Sequence, residues 1–184
     1  GKIKHYGVSV EKVEEALKAI EYEGVETIQI IFNMFRMRPA ELFFQQAQAR
    51  DVGVIVRVPL ASGLLTGKMT KQTTFAADDH RNFNRKGDAF DVGETFAGVD
   101  YATGVDAADA IHELVSAGMT MPQFALRWVL MYDAVSSVIP GAKTPQQAED
   151  NAGAADLPAL DDATMTRIRA IYDDAIREQV HHRW

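Results

Sequence analysis

The stretch G-V-I-V-R-V-P-L-A-S-G-L-L-T-G-K, from Gly53 to Lys68, decides how the rest of the chain is read. Val54-Ile55-Val56 is a short β-branched apolar run after a turn glycine, the pattern of a strand buried on both faces. Pro59 ends it, and the chain continues through Ser62, Gly63, Thr66 and Gly67 into Lys68. A strand that runs into small, flexible residues leaves backbone N–H groups free to meet a ligand, and the lysine adds positive charge for a phosphate. The stretch therefore reads as a phosphate-gripping βα loop, with an ordinary surface turn as the alternative that composition leaves open.

Outward from it, the same strand-then-helix unit recurs. On the N-terminal side, Ile3 to Ser9 alternates, and in Glu11 to Tyr22 the residues Val13, Ala16, Leu17 and Ile20 recur at helical spacing. Thr27 to Phe32 is an apolar strand carrying one polar residue, Gln29; Asn33 to Arg38 connects it to a helix from Pro39 to Arg50, proline being tolerated in a first turn. On the other side the pattern lapses from about Met69 to Asp106, a length of loop that is usually functional or disordered. Phe75, Phe83, Phe90, Phe96 and Tyr101 are scattered through it and favour an ordered flap anchored on the body. Ala107 to Ser116 and Met121 to Met131 read as helices, and Ser136 to Ile139 as a short strand broken by Pro140-Gly141. Thr144 and Pro145 open a helix through Asn151, and Asp161 caps a last helix to about Gln179.

Four strands, each followed by helical material, predict one α/β domain over residues 1–184: a parallel sheet with right-handed crossovers. In such folds ligands bind at the carboxyl ends of the strands, where Ser9, Gln29, Arg57 and Gly141 stand. Composition narrows the function. The 184 residues are 47% hydrophobic and 24% charged, an ordinary soluble balance. There is no apolar span of membrane length and no signal-peptide layout, so a cytoplasmic protein is expected. The absence of cysteine excludes disulfides and thiolate chemistry, and a net charge of -7 argues against a nucleic-acid binder. Asp78-Asp79-His80 reads as a solvated loop rather than a metal site, because successive side chains rarely converge. His112 reads as a surface residue, His181-His182 as a short tail given to packing or solvent rather than a site, and Trp128 as core.

The motifs Gly7-Val8-Ser9, Val58-Pro59-Leu60-Ala61-Ser62-Gly63-Leu64-Leu65-Thr66-Gly67-Lys68, Phe124-Ala125-Leu126-Arg127-Trp128 and Val138-Ile139-Pro140-Gly141-Ala142-Lys143-Thr144-Pro145 stand in order along the chain. Together they resemble the C-terminal half of the aldo-keto reductases, NADPH-dependent (β/α)8-barrel (TIM-barrel) oxidoreductases, and the resemblance covers essentially the whole chain. It implies a half barrel made of the fifth to eighth strands. It also implies that Ser9 and Gln29 hold the nicotinamide carboxamide, although the asparagine usual after that serine is Val10 here. Arg57 stands where the family often has an aromatic residue against the nicotinamide ring, and a guanidinium also stacks on a π-face. Leu60, Ser62, Gly63, Leu65, Gly67 and Lys68 match the loop over the pyrophosphate. Gly141, Ala142, Lys143 and Thr144 match the loop towards the adenosine 2′-phosphate, with Gln147, Asp150 and Asn151 near the adenine. Many members carry arginine at the position of Gln147, so NAD(H) stands beside NADP(H) as the implied cofactor.

The resemblance also implies a gap. The family protonates the developing alkoxide with a tyrosine tuned by lysine, aspartate and histidine on its second to fourth strands. The residues from Gly1 onward hold no such strands, and Tyr6, in a strand, and Tyr22 and Tyr132, read on helices, are no substitute. The chain alone is therefore expected not to reduce carbonyls. A half barrel exposes two strand edges, so association as a homodimer or with a missing N-terminal half is expected. The competing reading is a self-standing half barrel that binds a nucleotide or phosphate ligand, or only itself, without redox activity.

Overall fold

The computed structural model describes all residues from Gly1 to Trp184. Four strands, β1 (Tyr6–Ser9), β2 (Val25–Ile31), β3 (Gly53–Arg57) and β4 (Val135–Val138), form one parallel sheet in the order β1-β2-β3-β4. Helices α1 (Val13–Ala19) and α2 (Phe43–Ala49) connect the first three strands. Between β3 and β4 lie the short α3 (His80–Phe83), α4 (Tyr101–His112) and α5 (Met121–Val129). After β4 come α6 (Pro145–Gly153), α7 (Asp162–Ile171), a π-turn over Tyr172–Ile176 and α8 (Arg177–Val180). The alternation is that of a (β/α)8 barrel with half its strands.

The two faces of the sheet differ, and the difference comes from strand periodicity. Ile28, Ile30, Val54 and Val56 alternate onto the helix-covered face and are fully buried. There Phe32 stacks on Trp128 with ring centroids 5.0 Å apart and meets Phe44 edge-on at 4.7 Å, which confirms Trp128 as core. The other face carries Ser9, Gln29, Ile55 and Ser137, which lie in one row because each is in register with the next. Ile55 is only partly buried and Ser137 is exposed. The strand at Val54-Ile55-Val56 is thus buried on one face rather than two, since no opposite wall covers the face that a closed barrel would enclose.

Several element bounds shift for local reasons. β1 starts at Tyr6 rather than Ile3, where its pairing with β2 begins. Arg38–Ala40 forms a 3-10 turn with Pro39 inside it, so α2 begins later than the proline suggests. α4 begins at Tyr101 because Asp100 accepts the Thr103 N–H at 3.0 Å and caps it. Tyr22 and Tyr132 sit in the turns that follow α1 and α5, not on the helices.

The long loop is ordered. Phe75, Phe96 and Tyr101 form one aromatic cluster, with Phe96–Tyr101 centroids 4.9 Å apart, and the Arg81 and Arg85 guanidinium groups stack against it. Asn84 is buried and accepts the N–H groups of Ala89 and Phe90. Phe96 is an anchor at 2% exposure, whereas Phe83 and Phe90, at 43% and 42%, are not. Asp79 caps α3 and pairs with Arg81, whose donated hydrogen bonds hold its carboxyl well below the usual carboxylate range. In the tail, His181 packs onto the body: it contacts Glu41, which also pairs with Arg169 and Arg177, and it shares a hydrogen bond with Tyr172.

Candidate cofactor site at the carboxyl ends of the strands

A cleft of about 1620 Å³ opens beyond the ends of β3 and β4. One wall is the loop after β3. Val58, Ala61, Ser62, Gly63 and Gly67 all have positive φ, a tight path that needs outside support. Support comes from Asn33, whose side chain donates to the Val58 carbonyl at 2.9 Å, and from Ser62. The Ser62 hydroxyl donates to the Glu94 carbonyl and accepts from the Phe96 N–H, both at 3.0 Å, which ties this loop to the long one.

The other wall is the loop after β4 and the first turns of α6. Thr144 caps the helix by accepting the Gln147 N–H at 3.2 Å, and Gln147 returns a contact by accepting the Lys143 N–H at 2.7 Å. The Asn151 side chain donates to the Gly141 carbonyl at 3.3 Å. A capped helix start beside Lys143 concentrates positive potential suited to a phosphate. A Cβ added to Gly141 would meet nothing within 4 Å, so its backbone is open to a ligand.

Of the residues read from the sequence, Leu60, Ser62, Gly63, Lys68, Gly141, Ala142, Lys143, Gln147, Asp150 and Asn151 line this cleft together. Leu65 is fully buried behind it, Gly67 packs against Met121, and Thr144 acts through its cap. Ser9, Gln29 and Arg57 lie outside the cleft lining, on the face of the sheet away from the helices, which the long loop covers at the level of Arg57 through Glu94. Gln29 donates to the Ser9 hydroxyl at 3.0 Å, which supplies the partner that a polar side chain within an apolar strand requires. Arg57 shares their face, one row nearer the strand ends, in register with Ile31.

Two acidic residues unforeseen from the sequence join the two parts, and a third lies beside them. Glu11, after β1, and Glu94, on the long loop, both line the cleft and both bind the Arg57 guanidinium. Asp91 lines it as well and accepts the Trp184 indole N–H at 3.0 Å. Burial pushes the Glu11 carboxyl above its ordinary value against the pull of Arg57. Behind them Arg36 is buried with its guanidinium 3.8 Å from the Trp184 ring, and burial brings it down to about 9. The available signal was Val92-Gly93-Glu94-Thr95-Phe96-Ala97-Gly98-Val99, a carboxylate between two glycines in an otherwise irregular loop.

Phe83, Phe90, His80 and His112 also border the cleft, His112 being exposed as read. None of the five tyrosines lines it, and burial holds the Tyr132 hydroxyl at about 12, far from a proton donor's working range. No group of side chains is arranged to hold a metal ion. No helix is long and apolar enough to cross a membrane.

Four β/α units with a cleft at the strand ends define an α/β architecture of the barrel type, and the comparisons agree with it. Residues 1–173 match the aldo/keto reductase family, and the chain belongs to that family. It is 30% identical over 151 residues to the aldo-keto reductase YhdN of Bacillus subtilis, a match covering 81% of this chain and 43% of that protein. It is 25% identical to the fission-yeast (Schizosaccharomyces pombe) aldo-keto reductase yakc [NADP(+)], over 95% of this chain and 50% of that one. Among solved structures, glycerol dehydrogenase AKR11B4 from Gluconobacter oxydans superposes with a TM-score of 0.73 at 27% identity, covering 95% of this chain and 50% of that one. The chain spans about half the length of the relatives it matches.

Proposed function

We propose that this chain is the cofactor-binding, C-terminal half of an aldo-keto reductase barrel, and that it grips NADP(H) in the cleft between the loops after β3 and β4. The observation that carries the reading is the convergence of Lys68, Lys143, Gly141 and the capped start of α6 on one cleft. Charge-assisted contacts to a phosphate are among the stronger single interactions available to such a site. Ser9 and Gln29, joined on the uncovered face, would orient the nicotinamide carboxamide, and Gln147, Asp150 and Asn151 would face the adenosine end. Bound there, the cofactor supplies hydride transfer to or from a carbonyl carbon. The residues present do the gripping and orienting; the proton donor is assigned to the barrel strands that would precede β1, because no tyrosine of this chain reaches the cleft. NAD(H) in place of NADP(H) remains the alternative wherever Gln147 replaces arginine.

The same reading assigns a neighbour to the bare edges of β1 and β4, either strands of an N-terminal half or a second copy. Titration of the protein with NADPH, followed by cofactor fluorescence, tests the cleft. Saturable binding is expected, weakened about tenfold, or ~1.4 kcal/mol, by Lys143→Ala. Loss of the same factor for NADH would move Lys143 away from the 2′-phosphate. Failure of the wild-type protein to bind either dinucleotide would leave the self-standing half barrel as the better description.

A further inference from the structure

Arg57 is the hub of a partly buried group of charges. Its side chain is 11% exposed; Nη1 donates to Glu94, and Nη2 donates to Glu11 at 2.9 Å and to the Val10 carbonyl at 3.0 Å. Two carboxylates are thus held on neighbouring nitrogens of one guanidinium, within hydrogen-bonding reach of each other. The second Glu11 oxygen, Oε2, is buried and meets no donor of the protein. Two further charges face the pair: Asp91, on the long loop, and Arg36, from the connection after β2. Arg36 donates through Nε to the Ala97 carbonyl and has neither terminal nitrogen on a carboxylate. Glu15, in the first turn of α1, accepts the backbone N–H groups of Glu11 and Lys12. Arg57 is therefore the one cation bound directly to the pair, and two ionised carboxylates on it leave a negative charge uncompensated where water screens poorly. A single proton held between the two carboxyl groups removes that excess and gives the pair the donor it lacks.

We propose that Glu11 and Glu94 share one proton and so form a pH-operated latch, which holds the long loop to the end of β1 and, through it, the β3 wall of the cleft. Glu94 makes both connections. Its side chain is on Arg57, and its backbone carbonyl accepts the Ser62 hydroxyl at 3.0 Å, the same hydroxyl that accepts the Phe96 N–H. With the proton in place, loop, strand end and wall are tied together. Without it, Glu11 and Glu94 repel each other beside Asp91, and the strain falls on Glu94 and the Ser62 bridge. The sign follows from Glu11: burial raises its carboxyl, Arg57 lowers it, and Glu94 and Asp91 raise it again. A raised carboxyl stabilises the fold in acid and ceases to do so as pH rises through the raised value, so the latch is closed in acid and opens above it. Its effect on the cofactor rests on the reading above; the latch itself does not.

The test is an NMR titration of the glutamate side-chain carboxyl carbons in the full chain, with Glu11 and Glu94 identified by their glutamine substitutions. Both signals are expected to move together across the Glu11 step, as sites sharing a proton do. Glu94→Gln is expected to bring the Glu11 step down. Amide exchange, corrected for its intrinsic pH dependence, reads the loop: protection over residues 93–99 should fall about fivefold between about pH 5 and 8 in the wild type and stay level in Glu11→Gln, which mimics the protonated carboxyl. Independent titration of the two carboxyls, a Glu11 step unmoved by Glu94→Gln, or wild-type loop protection that is the same at both pH values would overturn the latch. NADPH affinity is expected to fall with loop protection in the wild type relative to Glu11→Gln. Failure of the wild type to bind NADPH at any pH would sink the cofactor reading, while the titration and the exchange would still decide the latch.

Discussion

The two loops that face each other across the cleft are built by different means. The loop after β3 is held from behind: Ala61, Leu64 and Leu65 are buried, Ser62 bridges to the long loop, and a Cβ on Gly67 would come within 2.9 Å of the Met121 sulfur. The loop after β4 is exposed throughout Gly141–Asp150 and is shaped by its own contacts, the Thr144 cap and the bonds from Lys143 and Asn151. One wall is thus rigid before any ligand arrives, and the other has little but local hydrogen bonds to order it. Since ordering a loop on binding costs affinity, substitutions behind the first wall should act on stability and substitutions in the second on binding.

The largest effect should come from the support behind the long loop. Trp184 is 3% exposed, stacks on Arg36, and packs so closely on the long loop that a Cβ on Gly98 would lie 2.5 Å from its ring. Trp184→Ala is expected to cost about 3–5 kcal/mol in chemical denaturation, with the loss felt in the β3 wall through Glu94 and Ser62. Ser62→Ala leaves the Phe96 N–H and the Glu94 carbonyl without their partner, for about 1–3 kcal/mol in the same measurement. Thr144→Ala on the opposite wall is expected to remove about 1 kcal/mol from α6 alone, visible as faster local exchange with the midpoint of global unfolding little changed.

The smallest effect separates the two kinds of carboxylate by pH. Asp100 accepts the Thr103 N–H, which holds its carboxyl below the ordinary value; its stabilisation is present above the usual carboxylate range and is lost as pH falls through the lowered value. Glu11 is the reverse. Burial raises its carboxyl, so its contribution is present in acid and is lost as pH rises through the raised value. Urea midpoints measured between about pH 3 and 7 should show Asp100→Asn flattening the loss of stability in acid, while Glu11→Gln gains relative to the wild type towards neutrality.

Much of this was legible in the sequence because it is written locally. The strand at Val54–Val56, the glycines and lysine that follow it and the Thr144 cap all declare themselves within a few residues, while Ser9 and Gln29 are paired only through the family resemblance. Glu94, Asp91 and Trp184 do not. Their importance comes from contacts across long stretches of chain, Glu94 on Arg57 and Trp184 on Asp91 and Arg36, and no periodicity marks such contacts in advance. Arg36 is the clearest case: in sequence it is one more residue of the Asn33 to Arg38 connection, and in the fold it is a buried cation under an indole. The exposed Phe83 and Phe90 show the same limit, since an aromatic in a loop reads as an anchor until the fold shows which ones find a core.

The central claim, that the cleft between one preformed and one locally ordered loop binds NADPH, is tested most directly by hydrogen exchange with and without the cofactor. The account predicts strong new protection over Gly141–Asn151 and only a small change over Leu60–Lys68, which is already held. Unchanged exchange in both loops at saturating NADPH, or protection confined to the open edge of β1, would contradict it.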